Sequence, residues 1–104
     1  MTHQIVVCYG TPADSAAFDE YYRTVHIPLA AEVPGLSGFT WGKCASLDSA
    51  EPPYYAVAHL RFDTEQHLRR ALASDEMRAA GRDVRNFATG GVTMYTEHPE
   101  TVTR

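Results

Sequence analysis

The sequence has little of what membrane-spanning and nucleic-acid-binding proteins need. None of its apolar runs approaches the roughly 20 consecutive residues of a membrane-spanning helix. Its 9 lysine and arginine residues are outnumbered by 13 aspartate and glutamate residues, which gives a net charge of −4. The basic residues are scattered and form no stripe, so we expect neither a nucleic-acid partner nor a membrane partner.

Cysteine is also scarce, and the common cofactor motifs are missing. Cys8 and Cys44 lie in predicted strands, and we expect free, buried thiols of a cytoplasmic protein. No CxxC, HExxH or CxxCH pattern occurs, and no GxGxxG follows a predicted strand. The sequence therefore predicts no metal site and makes no cofactor evident. Its start, MTHQIVVCYG, lacks the basic flank and the cleavage site of a signal peptide.

The residues that are present suit one globular domain over residues 1–104. Hydrophobic residues make up 44% of the chain and charged residues 21%, which is enough to form a core at this length. The polar tail, PETVTR from residue 99, is expected to be loose. Alternating and β-branched apolar residues predict strands at 3–10, 36–45, 54–62 and 89–98. Helical spacing predicts three helices. The first covers residues 11–33, the second is capped by Asp63 and includes residues 67–73, and the third runs from Ser74 to Phe87.

The first predicted helix is interrupted near its centre. Asp14 or Ser15 fits its N-cap. Pro28 has no N–H for the carbonyl of Thr24, so we expect a kink near His26. Pro34 and Gly35 end the helix. At about 100° per residue, one apolar stripe is predicted, which consists of Phe18, Tyr21, Tyr22, Val25 and Leu29. His26 lies at the edge of this stripe.

The order of these elements predicts a fold and a partner. Strand, helix, strand, strand, helix, strand is the order of an α+β, ferredoxin-like βαββαβ domain with a four-stranded antiparallel sheet. All helices then cover one face, whereas Tyr55, Val57, His59 and Arg61 share the other. Large exposed apolar faces are rare on monomers, and a second copy is the simplest cover. We therefore predict a homodimer that forms a dimeric α/β barrel.

One stretch resembles a known family. The pattern F-x-x-Y-Y-x-x-x-H-x-P-L at residues 18–29, followed by P-G-L at 34–36, resembles the EthD family, named for ethyl tert-butyl ether degradation. The segments YYAVAHLRFDT and ALASDEMRAAGRDVRNF resemble its later part, with a D-x-x-N-F element at Asp83, Asn86 and Phe87. The resemblance covers nearly the whole chain. It implies a dimeric α+β barrel with a pocket between helices and sheet in each subunit.

The resemblance also implies a range of chemistry. Family members are often labelled oxidoreductases, and the type member accompanies an ether-degrading monooxygenase system. Relatives in the wider superfamily include a muconolactone methylisomerase, polyketide dehydratases and cyclases, cofactor-free monooxygenases and haem enzymes. Kinship of fold does not choose among these reactions.

Three residues are candidates for catalysis. His26 suits a general acid or base because the unperturbed pKa of imidazole, about 6.5, lies near neutrality. Tyr22, one helical turn earlier, would orient that ring or donate to a substrate oxygen. Asp83 would hold the ring of His26. The alternatives are structural: His26 bonded to a backbone carbonyl, Tyr22 in the core, and Asp83 paired on the surface with Arg78 or Arg82.

Five further residues are candidates for substrate binding. Tyr9, Phe39 and Trp41 would wall an apolar pocket, with core or dimer interface as the alternative. His59 and Arg61 would bind an anionic or phenolic ligand if their face lines a dimer cavity. A carboxylate such as Asp83 or Glu97 is the alternative partner for these two residues.

Two functions are consistent with these residues. The first is an enzyme that acts on a small apolar or aromatic metabolite. His26 would move a proton in an isomerisation, dehydration or cyclisation, or the enzyme would be an oxidoreductase of the kind named in the family. The second is a non-catalytic accessory protein or hydrophobic-ligand carrier that supports a monooxygenase system. Haem binding with His26 as axial ligand is a third alternative.

Overall fold

A four-stranded antiparallel sheet forms the centre of the fold. The structure is a computed structural model that describes residues 3–103. The strands are β1 (His3–Tyr9), β2 (Gly38–Lys43), β3 (Ala56–Phe62) and β4 (Val92–Glu97). They lie in the order β2-β3-β1-β4. Residues 5–9 of the central strand β1 are all buried, as the apolar residues on both of its faces predicted.

The helices lie on one face of this sheet, as predicted. They are α1 (Ser15–Tyr21), a π-helical segment (Tyr22–His26), α2 (Ile27–Ala30), α3 (Glu65–Leu72), α4 (Asp75–Asp83) and a short 3-10 helix (Val84–Asn86). The element order and the strand order are those of a ferredoxin-like α+β fold, which confirms the prediction. Within residues 3–103, no helix has the length and apolar character needed to cross a lipid bilayer.

The helix caps agree with the sequence at two of three positions. Asp14 accepts a hydrogen bond from the amide of Ala17 at 3.1 Å, and Ser74 caps α4 in the same way. The prediction of Asp63 as a cap is wrong, because the Thr64 hydroxyl accepts from the backbone N–H of His67 at 3.0 Å. Thr64 has the extended conformation of an N-cap residue, and the helix begins at Glu65.

The predicted kink near His26 takes the form of a π-helical segment. The N–H of Ile27 donates to the carbonyl of Tyr22, five residues earlier. Along a regular α-helix, residues four apart drift by about 40° around the axis, and the wider π turn removes part of that drift. The buried stripe consequently runs through Phe18, Tyr22, His26 and Ala30. The predicted stripe was wrong at Val25, which is 42% exposed.

Tyr55 also differs from its predicted position. The strand β3 begins at Ala56, so the alternation of side chains does not extend back to Tyr55. The Tyr55 ring lies 5.2 Å from that of Phe18, and its hydroxyl donates to Asp19 at 2.8 Å. Tyr55 therefore belongs to the helix-covered side, whereas Val57, His59 and Arg61 alternate onto the other face as predicted.

The second face of the sheet has no helical layer. The molecule measures 40 × 38 × 18 Å, and the short dimension corresponds to one sheet and one layer of helices. On this uncovered face, Val6 is flanked by His59 and Tyr95 on the neighbouring strands. The side-chain amide of Gln4 donates a hydrogen bond to the carboxylate of Glu97. The uncovered face therefore has apolar side chains at its centre and polar side chains around them, and it is less apolar than the sequence predicted.

Candidate functional site

Two buried polar side chains from distant parts of the chain meet on the helix-covered side. His26 ends the π-helical segment, and Asp83 ends α4. The Nδ1 atom of His26 lies 2.9 Å from Oδ2 of Asp83, and both residues are less than 9% exposed. A carboxylate can only accept, so Nδ1 carries the proton and donates it to Asp83. Of the two alternatives for Asp83, the structure shows the pair with His26. Arg78, an alternative partner, pairs with Asp75 instead.

Asp83 is itself held in place by two other donors. Its Oδ1 atom accepts from the hydroxyl of Tyr21 at 2.6 Å and from the side-chain amide of Asn86 at 3.0 Å. Oδ2 then remains for His26. Carboxylates that fix a histidine in this way select its tautomer and its ring orientation. The arrangement gives His26 one occupied nitrogen and one nitrogen, Nε2, with no partner among the described residues.

Aromatic rings hold the imidazole on two sides. The ring of Tyr22 stacks on that of His26 with centroids 5.3 Å apart, and the ring of Phe87 lies 4.6 Å away. Phe87 also contacts Tyr9 and Phe18, which are part of the buried cluster. The side chain of His26 therefore has little freedom to leave this position.

The local environment favours neutral imidazole and ionised Asp83. Burial lowers the pKa of His26 below its ordinary value, although the hydrogen bond to Asp83 and its charge act in the opposite direction. Burial raises the pKa of Asp83, but the hydrogen bonds from Tyr21, Asn86 and His26 outweigh it and leave that pKa below its ordinary value. Neutral His26 with its proton on Nδ1 presents Nε2 as a base.

His26 lies in the wall of a cavity between the sheet and the helices. The cavity has a volume of about 290 Å³. The sheet contributes Ile5, Val7 and Leu60 to its wall, and α4 contributes Met77, Ala80 and Gly81. Two partly exposed side chains, Leu72 and Met94, also line it and mark its open side. The volume is at the lower end of the range for small-molecule pockets.

Two buried tyrosines place hydroxyl groups beside this cavity. Tyr9 and Tyr22 both line it, and each is at most 2% exposed. Burial raises the pKa of Tyr22 to about 12. Burial, together with the neighbouring Tyr22, raises the pKa of Tyr9 as well. Both phenols consequently stay protonated near neutrality. Tyr9 donates a hydrogen bond to the oxygen of Tyr22, so the hydroxyl of Tyr22 remains as a donor for a ligand.

The remaining predicted binding residues are divided by the sheet. Phe39 lines the cavity. Trp41 is on the same side but outside the wall, with its ring 4.5 Å from that of Tyr22 and the guanidinium of Arg23 at 5.4 Å. His59 and Arg61 lie on the uncovered face, so the sheet separates them from His26. Binding by these two residues in a dimer remains a prediction.

The carboxylate partners expected for His59 and Arg61 are engaged elsewhere. Asp83 pairs with His26, and Glu97 accepts from Gln4. Within residues 3–103, no ion pair involves Arg61 or His59. The two side chains therefore remain available to a further molecule on the uncovered face.

The two residues that hold Asp83 in place were not predicted from the sequence. Tyr21 was placed in the apolar stripe, and its hydrogen bond spans 62 positions of the chain, which no local pattern shows. Asn86 carried a signal, because it follows Asp83 by three residues and residues at that spacing face each other on a helical turn. The cavity wall on α4 was predicted only as an apolar face.

Comparison with known families and proteins gives this geometry a context. The family profile described as the EthD domain matches residues 11–91. An uncharacterized 11.0 kDa protein in the thcB-thcC intergenic region of Rhodococcus erythropolis is 45% identical over 100 residues, which cover 96% of this chain and 97% of that protein.

Solved structures share the fold. An EthD family protein from Bacillus halodurans has a TM-score of 0.88 at 28% identity, covering 96% of this chain and 100% of the other. A dimeric ferredoxin-like protein of unknown function from Thermobifida fusca has a TM-score of 0.69 at 16% identity, covering 93% and 90%. SnoaB, a cofactor-independent oxygenase from Streptomyces nogalater, has a TM-score of 0.67 at 16% identity, covering 97% and 95%. The last two are likenesses of fold alone.

Proposed function

This chain belongs to the EthD domain family, and we propose that it is an enzyme that transfers a proton on a small, largely apolar molecule held in the cavity. One observation carries the proposal: the buried His26 lines a largely apolar cavity and is fixed through Nδ1 by Asp83 at 2.9 Å, and within residues 3–103 no hydrogen bond involves its Nε2. A base of tuned pKa in a cleft is a common sign of a catalytic site.

The chemistry that suits this site is proton abstraction from a carbon next to a carbonyl group. Nε2 of His26 would accept the proton, and Asp83 would stabilise the imidazolium that forms. The hydroxyl of Tyr22, which itself accepts from Tyr9, would donate to the substrate oxygen as it gains negative charge. Return of the proton from Nε2 to another carbon atom completes an isomerisation. Transfer of the same proton to a hydroxyl group on the neighbouring carbon, which then leaves as water, completes a dehydration and restores neutral His26.

A generic ketone tests this step without knowledge of the natural substrate. The protein is incubated with 2-tetralone in deuterated buffer, and loss of the proton signal next to the carbonyl is followed by NMR. We expect His26→Gln, which keeps an N–H donor for Asp83, to reduce the exchange rate at least about 100-fold. Equal rates for the wild type and His26→Gln, with the ketone bound to both, would overturn the proposal.

The alternative function is a carrier or accessory protein for a monooxygenase system. The apolar cavity favours it as much as it favours an enzyme, because binding alone needs no base. Ligand binding that survives in His26→Gln without any proton exchange in either protein would support this alternative. Oxidoreductase chemistry stays a prediction, because the fold shared with SnoaB does not indicate a shared reaction. Support of a monooxygenase system and a cytoplasmic location also remain predictions.

Haem ligation by His26 has a direct test of its own. Haem added to the purified protein should produce a shifted Soret band if His26 becomes an axial ligand. His26→Gln would then lose that band. An unchanged haem spectrum removes this alternative.

We further propose that a second copy covers the uncovered face. The dimeric ferredoxin-like protein from Thermobifida fusca has the same fold, which supports a homodimer here. The free polar side chains His59 and Arg61 and the half-exposed Tyr95 would then lie in the interface. Light scattering at micromolar concentration tests this, since the single chain has a mass of 11.5 kDa.

A further inference from the structure

We propose that the cavity binds uncharged molecules that carry one hydrogen-bonding oxygen, and that it rejects carboxylates of equal size. This proposal names the ligand class of the proposed site and rests on the proposed function only for the location of that site. Its first support is the composition of the wall. In the part of the chain that the structure describes, no arginine, lysine, aspartate or glutamate lines the cavity.

An anion in this cavity would lack a counter-charge. A carboxylate that leaves water for an apolar site needs a cation or several donors to compensate its lost hydration. His26 already uses Nδ1 on Asp83. The negative charge of Asp83 behind the ring would also repel a second anion. The same charge helps to raise the pKa of Tyr9, after burial and the neighbouring Tyr22.

A single oxygen, by contrast, has partners. Tyr22, which accepts from Tyr9, and His26 have neighbouring rings in the cavity wall, which is otherwise apolar except for Thr96. A carbonyl or hydroxyl group can accept from a phenol or donate to the imidazole. Apart from Thr96, the rest of such a molecule would contact aliphatic and aromatic side chains, which gains hydrophobic free energy.

Three two-ring probes of matched size test this proposal. They are 2-acetylnaphthalene, 2-naphthoate and 2-ethylnaphthalene, each titrated at pH 8 into protein labelled with ¹³C at the methionine methyl groups. Met77 and Met94 both line the cavity and report occupancy through their methyl signals. We expect the ketone to bind at least about 30-fold more tightly than the carboxylate and several-fold more tightly than the hydrocarbon.

Each outcome of this titration has a clear meaning. Naphthoate that binds as tightly as the ketone overturns the proposal, because it shows that a cation reaches the cavity. Equal binding of ketone and hydrocarbon removes the oxygen subsite. No response to any probe removes the cavity as a site for molecules of this size. The titration is independent of the proton-exchange assay, so the ligand class and the reaction can fail separately.

A second inference concerns Gly81, which lies inside α4. Met77, Ala80, Gly81 and Val84 follow the spacing of one helix face, and all four line the cavity. Glycine in a helix interior costs stability relative to alanine. The backbone does not require it, because only Gly35 and Gly91 have positive φ angles among the described residues. Packing does not require it either, since an added Cβ would meet no atom within 4 Å.

We infer that Gly81 determines the bulk of the ligand that the cavity accepts. Gly81 is exposed and lines the cavity together with Met77 and Val84, so a large side chain at this position would narrow the cavity near its open side. Gly81→Ala should raise Tm by about 4 °C, since helix propensity improves. It should weaken the binding of 2-acetylnaphthalene relative to the smaller acetophenone. Gly81→Leu should abolish binding of the larger ketone in a folded protein.

A matched variant separates specificity from a general effect on α4. Arg82 is exposed, lies on the same helix and is not part of the cavity wall. Arg82→Leu should bind both ketones as the wild type does. If Gly81→Leu also binds 2-acetylnaphthalene unchanged, Gly81 does not limit the ligand. A fall in Tm for Gly81→Ala would show that the fold needs the glycine, and would equally overturn the inference.

Discussion

The two faces of the sheet differ in how their polar residues are satisfied. On the helix-covered face, Asp83 accepts from His26, Tyr21 and Asn86, and an aromatic cluster surrounds the group. On the uncovered face, His59 and Arg61 have no ionic partner among residues 3–103. These two side chains are half-buried, and polar groups without a protein partner are generally satisfied by water or another molecule.

This difference indicates that the two faces have different roles, one in the cavity of a single chain and the other in association. The hydrogen bonds around Asp83 are complete within one chain, so this polar group can be tuned and aimed at a cavity. In the homodimer that we propose, the second copy would complete the uncovered face. Substitutions on the covered face should therefore change folding stability, whereas substitutions on the uncovered face should change association.

The strongest test of the covered face removes Phe87. Its ring contacts His26, Phe18 and Tyr9 and is 5% exposed. Phe87→Ala should lower the free energy of unfolding by about 3–5 kcal/mol, through lost burial and the cavity left behind. Urea denaturation measures this. Phe87→Leu serves as the control and should cost less than about 2 kcal/mol.

The polar group itself provides the next test. Asp83→Ala removes the acceptor of three donors and should cost about 3 kcal/mol in the free energy of unfolding. Asp83→Asn keeps the size and one acceptor, so its cost should be smaller. If the two variants have equal midpoints in urea at equal m-values, the hydrogen bonds to Asp83 contribute little.

The uncovered face is tested with a matched pair of valines. Val57 lies on that face, and Val25 is exposed in the helical layer. Val57→Glu should weaken self-association at least about 100-fold, because it places a charge in the interface. Val25→Glu should leave it unchanged. Analytical ultracentrifugation distinguishes the two, and a wild-type protein that sediments as a monomer would remove the second copy altogether.

The smallest expected effect is on the pH dependence of stability. The pKa of His26 lies below 6.5 in the folded protein because of burial. As the pH falls below 6.5, the unfolded chain therefore binds more protons than the folded one, and the free energy of unfolding decreases. Between pH 8 and pH 5, His26→Gln should show a flatter curve than the wild type. A parallel pair of curves would mean that His26 has no depressed pKa.

The fold could be predicted from the sequence because its signals are local. Strand alternation in β1 and the caps Asp14 and Ser74 depend on neighbours within a few residues. The pairing of His26 with Asp83 spans 57 positions, so the sequence left it as one of two alternatives. The stripe through Val25 failed because Pro28 signalled a distortion without showing its kind. A single domain over residues 1–104 stays a prediction.

The π-helical segment has a consequence for how this chain tolerates changes in length. Each residue turns a helix by about 100°, so deleting one between Phe18 and His26 would rotate Phe18 relative to the imidazole by about that angle. Replacements at the exposed Arg23, Thr24 and Val25 leave the rotation intact. We therefore expect this segment to tolerate substitutions at its exposed positions but neither insertions nor deletions.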